Sequence, residues 1–268
     1  MESNFQTMKR ILILLGVALM MTAASAQKLK LNVATAGTLS TLVANNPDVE
    51  KLILSGTLND NDLRCIRSLK NVREINLTKV KNLQLGDSAF FGMKSLEYAR
   101  LPKKLNKLGR SAFEGCVNLA HLDFPGHLEN IPENMLKDCK SLDKIYLSNS
   151  YVKNIGKGAF MNSGLRIVAM PELLRNIEMT AFANCEKLEM IRLPKWVSEI
   201  GALAFANCKM LRSVKVENDT PPTCADDAFQ GLDKCTLIVK HSEQYRDRSP
   251  WNKINLSYEN YNGEEFHK

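Results

Sequence analysis

Seven cysteines and four histidines are the residues of this 268-residue chain best suited to chemistry. Cys116 lies close in sequence to His121 and His127, and a thiol becomes a nucleophile when such a base takes its proton. The spacing of Cys116 argues against that role. It recurs as Cys139, Asn162, Cys185 and Cys208, each 23 residues after the last. A residue type that returns once per unit serves the unit, and free cysteine packs as a small, easily buried hydrophobe. Zinc needs three or four converging ligands, and the chain has no Cys-x-x-Cys pair. A Gly-rich phosphate loop and a nucleophile elbow are also missing. The reading is therefore no catalytic residue, no metal site and no cofactor.

The elements that carry these residues follow from the same beat. Leu96, Leu119, Leu142, Leu165, Leu188 and Leu211 form one column on the 23-residue step. Leu101, Phe124, Leu147, Met170, Leu193, Val216 and Val239 form another. Self-similarity at such a period marks a solenoid, each repeat being one coil that buries its apolar face only against its neighbours. In the coil from Leu188, the alternation of Ile191 and Leu193 predicts a short inward-facing strand that Pro194 ends. Val197 and Ile200 return the chain to the core, Gly201 allows a turn, and Ala204-Phe205 opens an irregular outer segment. Ala112-Phe113, Ala159-Phe160, Ala181-Phe182 and Ala228-Phe229 repeat it, whereas Met135-Leu136 is the variant. Phe160 arrives one residue late and the loop Met161 to Gly164 is one residue short, so the beat recovers at Leu165.

Four segments follow. Residues 1–26 read as a secretory signal peptide: Lys9 and Arg10 precede the apolar run Ile11 to Met21, and Ala24-Ser25-Ala26 supplies a cleavage site before Gln27. Residues 27–71 form an N-terminal cap and first coil, with Asn59-Asp60-Asn61-Asp62 and Leu63, Ile66 and Leu69 marking a short helix. Residues 72–240 form the solenoid. Residues 241–268 form a C-terminal cap and polar tail, with Ser242 capping a helix through Tyr245 and Trp251 and Ile254 shielding the last coil. The net charge is +7, falling to +6 when the signal takes away two basic residues and one acidic one. The charges are interspersed apart from Lys103, Lys104, Lys107 and Arg110, which is not the basic stripe a nucleic-acid partner requires. No stretch beyond the signal is long and apolar enough for a membrane span. The column cysteines read as stacked, buried thiols. Cys224 and Cys235, outside the column, are the disulfide candidate.

Binding, if present, belongs on the strand face. The residues flanking each inward strand position point outward, giving Tyr98 and Arg100, His121 and Asp123, Lys144 and Tyr146, Ile167 and Ala169, Met190 and Arg192, and Ser213 and Lys215. Side by side they form a strip at about 4.8 Å per coil, carrying the Tyr, Arg and Met types enriched at interfaces. Tyr98, Tyr146, Ile167, Met190 and Arg192 are the expected anchors, with Arg100 or Lys144 steering by charge. Asp87-Ser88-Ala89 resembles a short O-glycosylation site of exported bacterial proteins.

The phrase Ile191-Arg-Leu-Pro194, followed by Ile200-Gly201-Ala-Leu-Ala-Phe205-Ala-Asn-Cys208, closely resembles the leucine-rich repeats of BspA-like bacterial proteins. The resemblance spans about residues 72–240. Gly37 to Leu42 with Leu52 to Leu58, and Thr236 to Lys240 with Tyr245 and Trp251, resemble that family's usual end caps. It implies a right-handed α/β solenoid with short strands and little regular helix, exported to the periplasm, cell surface or medium. It also implies a non-enzymatic, adhesin-like role toward a host matrix or envelope protein. A glycan-binding envelope protein, stacking sugars on Tyr98 and Tyr146, stays open as the alternative.

Overall fold

Strand alternation sets the front of every coil. In Tyr98–Arg100, Lys144–Tyr146 and Ile167–Ala169 the middle residue is buried and its neighbours face out. A three-residue strand cannot hold itself, so each pairs in parallel with its counterpart one coil on. Tyr98 lies opposite His121, Lys144 opposite Ile167, and Met190 opposite Ser213. The computed structural model describes residues 27–105, 107–124, 127–148, 150–232, 235–241 and 243–252, with the backbone alone for 256–260. The expected signal peptide, Ser242, Ile254 and the tail from 261 onward lie outside the described residues.

The result is a parallel-strand solenoid of about 9 turns, with coils of about 23 residues. Its front runs from the strand Lys28–Val33 through Lys51–Gly56, Glu74–Val80 and Tyr98–Arg100 to His121–Asp123, then resumes as two further ladders. One joins Lys144–Tyr146 to Ile167–Ala169, and the other runs from Met190–Leu193 to Leu256–Asn260. The front is thus stepped, not one unbroken ribbon. A second parallel ladder of two-residue strands, from Asn130–Ile131 to Thr223–Cys224, closes the coil behind it.

The six matched leucines are all buried in one continuous core. On the turn side, the backbone N–H of Phe90, Phe113, Leu136, Phe160, Phe182 and Phe205 donates to a carbonyl of the next coil, at 2.8–2.9 Å. The rings of Phe160, Phe182, Phe205 and Phe229 stack with centroids 5.0–5.3 Å apart. Leu136, itself buried, separates that stack from the Phe90 and Phe113 rings, which meet at 5.1 Å. The column cysteines are buried thiols, as expected. Cys116, Cys139, Cys185 and Cys208 donate from Sγ to the carbonyls of Phe90, Phe113, Phe160 and Phe182 at 3.1–3.2 Å.

One member of that column needs correcting. Because Phe160 is one residue late, Ser163 and not Asn162 takes the buried cysteine place, and its Oγ lies 3.3 Å from Cys185 Sγ. Asn162 falls instead in the neighbouring column, with φ 59°. Gly92, Gly115, Asp138, Asn184, Asn207 and Gly231 share this left-handed conformation, which glycine and asparagine adopt most readily. The amides form a ladder there: Asn162 donates to Asp138 at 2.8 Å, Asn184 to Asn162 at 2.9 Å and Asn207 to Asn184 at 3.0 Å. The shortened loop then passes through Gly164, where a Cβ would lie 2.0 Å from the Lys140 carbonyl oxygen.

The ends are capped by different means. At the start, Asn59 and Asp62 form a capping box on the helix Asp60–Ser68, and buried Asp62 also accepts from the N–H groups of Gly37 and Leu39 at 2.6 and 2.9 Å. At the far end, Tyr245 of the short helix Glu243–Arg246 meets Trp251 edge-on, and Trp251 tilts against Phe229. Two aromatic rings therefore finish the phenylalanine stack.

Candidate functional site

The front strip carries the Tyr, Arg, Met and Ile side chains read from the sequence, but its parts differ in what they leave open. Among the N-terminal positions, the Tyr98 hydroxyl donates to Asp123 at 3.1 Å, and Arg100 lies 3.6 Å from the same carboxylate. The Arg100 guanidinium also sits 4.7 Å above the Tyr98 ring, and His121 packs against that ring at 5.6 Å. Tyr98, Arg100, His121 and Asp123 thus satisfy one another. Before them, Lys51 pairs with Glu74 across the ladder.

Arg192 is committed in the same way. It forms one ion pair with Glu172 and another with Glu217, both at 2.7 Å. Its hydrogen bonds to Glu172, then to Glu217, hold the guanidinium firmly in its charged form. That charge is neutralised in place and is unsuited to long-range steering.

The coils between these two clusters are different. Tyr146 is 66% exposed and Met190 58%, with Ile167 at 36% beside them. Lys144 makes no ion pair among the described residues, so its charge is available. A row of ion pairs braces the strand entrance, with Arg166 between Asp143 at 3.2 Å and Glu189 at 3.8 Å, and Arg73 against Glu97 at 2.7 Å. These exposed pairs set register more than stability, since such contacts contribute about 0–1 kcal/mol each.

A second row of exposed side chains went unread in the sequence. Just before the inward positions Leu128, Val152, Leu174 and Val197, the first half-buried and the others buried, stand His127, Tyr151, Leu173 and Trp196, all exposed on the loop that leaves the front strand. His127 and Tyr151 stack at 5.9 Å, and Lys195 lies over Trp196 at 4.7 Å. Their signal was the residue before each returning apolar position. The same one-residue insertion that delays Phe160 moves Tyr151 off the strict beat and hides the row.

The chemical candidates do not assemble. Burial pushes the Cys116 thiol up to about 12, with a backbone hydrogen bond from Met93 opposing slightly, so it is not the thiolate a nucleophile must be. All seven cysteines are free thiols. Cys224 and Cys235, the disulfide candidate, are not joined, because Cys224 belongs to the rear ladder and Cys235 opens a front strand. Among the described residues no group of His, Cys, Asp and Glu is placed to hold a metal ion. Ser88 is half-buried at φ 58° in a turn whose carbonyl accepts from Arg67 at 2.7 Å. A polar groove of about 590 Å³ runs along the asparagine ladder on the turn side, between Lys140 and Lys187.

A family comparison agrees with this architecture. A family model described as the BspA type leucine-rich repeat region, in six copies, matches residues 63–189 and 153–247. The solved T. pallidum leucine-rich repeat protein is 26% identical, with a TM-score of 0.44, over 68% of this chain and 71% of its own. A leucine-rich repeat protein from Bacteroides ovatus is 20% identical, with a TM-score of 0.32, over 79% of each chain. A leucine-rich cell surface protein from Faecalibacterium prausnitzii is 15% identical, with a TM-score of 0.30, over 87% of this chain and 84% of its own. No curated protein matches.

Proposed function

Since the chain belongs to the BspA-type leucine-rich repeat family, we propose that it is an exported, adhesin-like module that binds a protein partner through its strand face and performs no catalysis. Tyr146, Ile167 and Met190 anchor the partner, and Lys144 attracts it. The observation that carries this reading is the open centre of the front. Large apolar side chains stand exposed there, while the polar residues on either side are paired among themselves. A contiguous exposed apolar patch is uncommon on a monomer and marks interaction sites. Export rests on Lys9, Arg10, the apolar run Ile11 to Met21 and Ala24-Ser25-Ala26. Among the described residues no helix is long and apolar enough to cross a membrane.

A glycan reading finds less support. Sugar stacking needs free ring faces, and Tyr98 has Arg100 over its ring and His121 against it. That leaves Tyr146 as the one candidate platform of the two.

The test is a binding panel of host matrix proteins and the producer's own envelope proteins, run beside a glycan array with the chain from Gln27 onward. A protein ligand is expected. Tyr146→Ala with Met190→Ala should weaken its binding at least about tenfold, or about 1.4 kcal/mol. Unchanged affinity in the double variant removes the strand face from the site. N-terminal sequencing of the exported protein should begin at Gln27.

A further inference from the structure

Eight of the ten large apolar side chains exposed among the described residues come from the three coils between Leu142 and Met210, and six of these lie on the front strands or the loop that leaves them: Tyr146, Tyr151, Ile167, Leu173, Met190 and Trp196. Half of them lie on the front strands and half on the loop that follows. The two halves are held together by Arg192, a strand residue whose guanidinium reaches Glu172, the neighbour of Leu173, at 2.7 Å. Tyr151 is 54% exposed, Leu173 42% and Trp196 52%, so the loop row is as open as the strand row.

We propose that the docking surface turns the corner of the solenoid onto Tyr151, Leu173 and Trp196, and that its occupant is a partner polypeptide segment carrying apolar and carboxylate side chains. The inference rests on the strand-face reading above and extends it. The charges around the patch choose the occupant. Lys144 makes no ion pair among the described residues, and Lys195 contacts only the Trp196 ring there. The carboxylates beside the patch are already engaged, Glu172 and Glu217 by Arg192 and Asp143 and Glu189 by Arg166. A partner arriving here therefore meets apolar surface rimmed by uncompensated cations. A second copy of the chain is the wrong occupant, because an isologous contact sets the same patch of both copies together and would gather Lys144 and Lys195 of each copy into one interface. A carbohydrate is also a poor fit. The His127 and Tyr151 rings stack on each other with planes only 10° apart, and Lys195 covers one face of Trp196.

Trp196 makes the proposal measurable. The other tryptophan, Trp251, is buried at 1% exposure against 52% for Trp196, so a change in indole emission on binding reports the loop row. The probes are a glutamate–leucine copolymer, a lysine–leucine copolymer and polyglutamate, each titrated into the full mature chain. The expected result is a blue shift of emission with the glutamate–leucine copolymer, which binds at least about tenfold more tightly than either control. Tyr151→Ser with Leu173→Ser should lose about tenfold of that affinity, and Lys144→Glu with Lys195→Glu should reverse the preference between acidic and basic copolymers. Thermal melts of these surface variants should match the parent.

Equal binding of polyglutamate would reduce the effect to bulk charge and overturn the proposal. So would a blue shift that grows with protein concentration when no copolymer is present, since that points to self-association. If Tyr146→Ala with Met190→Ala abolishes copolymer binding while Tyr151→Ser with Leu173→Ser leaves it intact, the strand face stands and the corner falls. The converse pattern removes the strand face and keeps the corner.

Discussion

The turn side and the strand face of each coil are built from the same chain at the same pitch, yet they obey opposite rules. On the turn side, position after position repeats: phenylalanine, cysteine, and a left-handed glycine or asparagine. The reason is that each of these residues has the same turn of a neighbouring coil for a partner. Phe182 lies between Phe160 and Phe205, Asn184 between Asn162 and Asn207, and Cys185 reaches the carbonyl of Phe160. On the strand face the equivalent series reads Tyr98, His121, Lys144, Ile167, Met190 and Ser213, with no type used twice. Repetition in a solenoid marks where coils meet each other, and variation marks where the molecule is free to meet something else.

The largest effect that would sharpen this contrast is expected in the phenylalanine stack. Phe182→Ala removes a fully buried ring from between two others and should cost about 3–5 kcal/mol, read as a lower midpoint in denaturant unfolding. Next comes the asparagine ladder. Asn184→Ala loses two amide hydrogen bonds and places a Cβ-bearing residue without a compensating side chain at φ 58°, which together should cost about 1–3 kcal/mol. Asn184→Gly restores the backbone freedom but not the bonds, so it should fall between the parent and Asn184→Ala. If glycine proves worse than alanine, the ladder works through its side chains and the left-handed turn is not the constraint.

How much of this could be read from the residues follows the same division. The turn side and the core were legible because periodicity encodes them: the six leucines, the cysteine thiols and the Asn59 helix start all fall where the spacing placed them. The column error at Asn162 shows the limit. A fixed step assigns residues correctly only while insertion and deletion do not separate, and between Tyr151 and Gly164 they do. The front strip was legible as a set of outward positions but not as a surface. Nothing in the sequence says that Arg192 closes on Glu172 and Glu217, or that Tyr98 is occupied by Asp123, since those partners lie 20 or more residues away and depend on side-chain reach. Tyr151, Leu173 and Trp196 were missed because the row keeps the coil period only through an insertion at Tyr151 that is made up before Leu173, and because its residue types differ from coil to coil.

A smaller effect distinguishes the cysteines by their surroundings. Burial pushes Cys185 up to about 12 despite the hydrogen bonds from Ser163, and Cys116 up to about 12 as well. Cys139 and Cys208 are raised well above 9.0 by burial first and by the neighbouring cysteine second. A group whose folded pKa is raised stabilises the fold fully below its unfolded value and loses that contribution as pH climbs through the folded one. Stability should therefore decline between about pH 9 and pH 12, a fall that Cys116→Ala with Cys185→Ala should flatten. In native alkylation near neutral pH, Cys65 on the capping helix should react first, because it is only half-buried while the four column thiols are shielded, and the other half-buried thiol, Cys224, is pushed up to about 12 by burial.

The smallest effect is the one that tests the contrast most directly. Tyr146→Ala with Met190→Ala removes two large side chains, as Phe182→Ala removes one, but from positions 66% and 58% exposed. Exposed side chains give up little on truncation, so the double variant should hold the parent's stability to within about 0.5 kcal/mol, by the same denaturant midpoint. If these residues exist to brace the coils, the midpoint must fall well beyond that, because each would then be losing a neighbour of its own kind as Phe182 does. If they exist for a partner, stability stays and affinity goes. Only a surface that the fold does not need can be lost so cheaply, and in this molecule it lies where the repeat stops repeating.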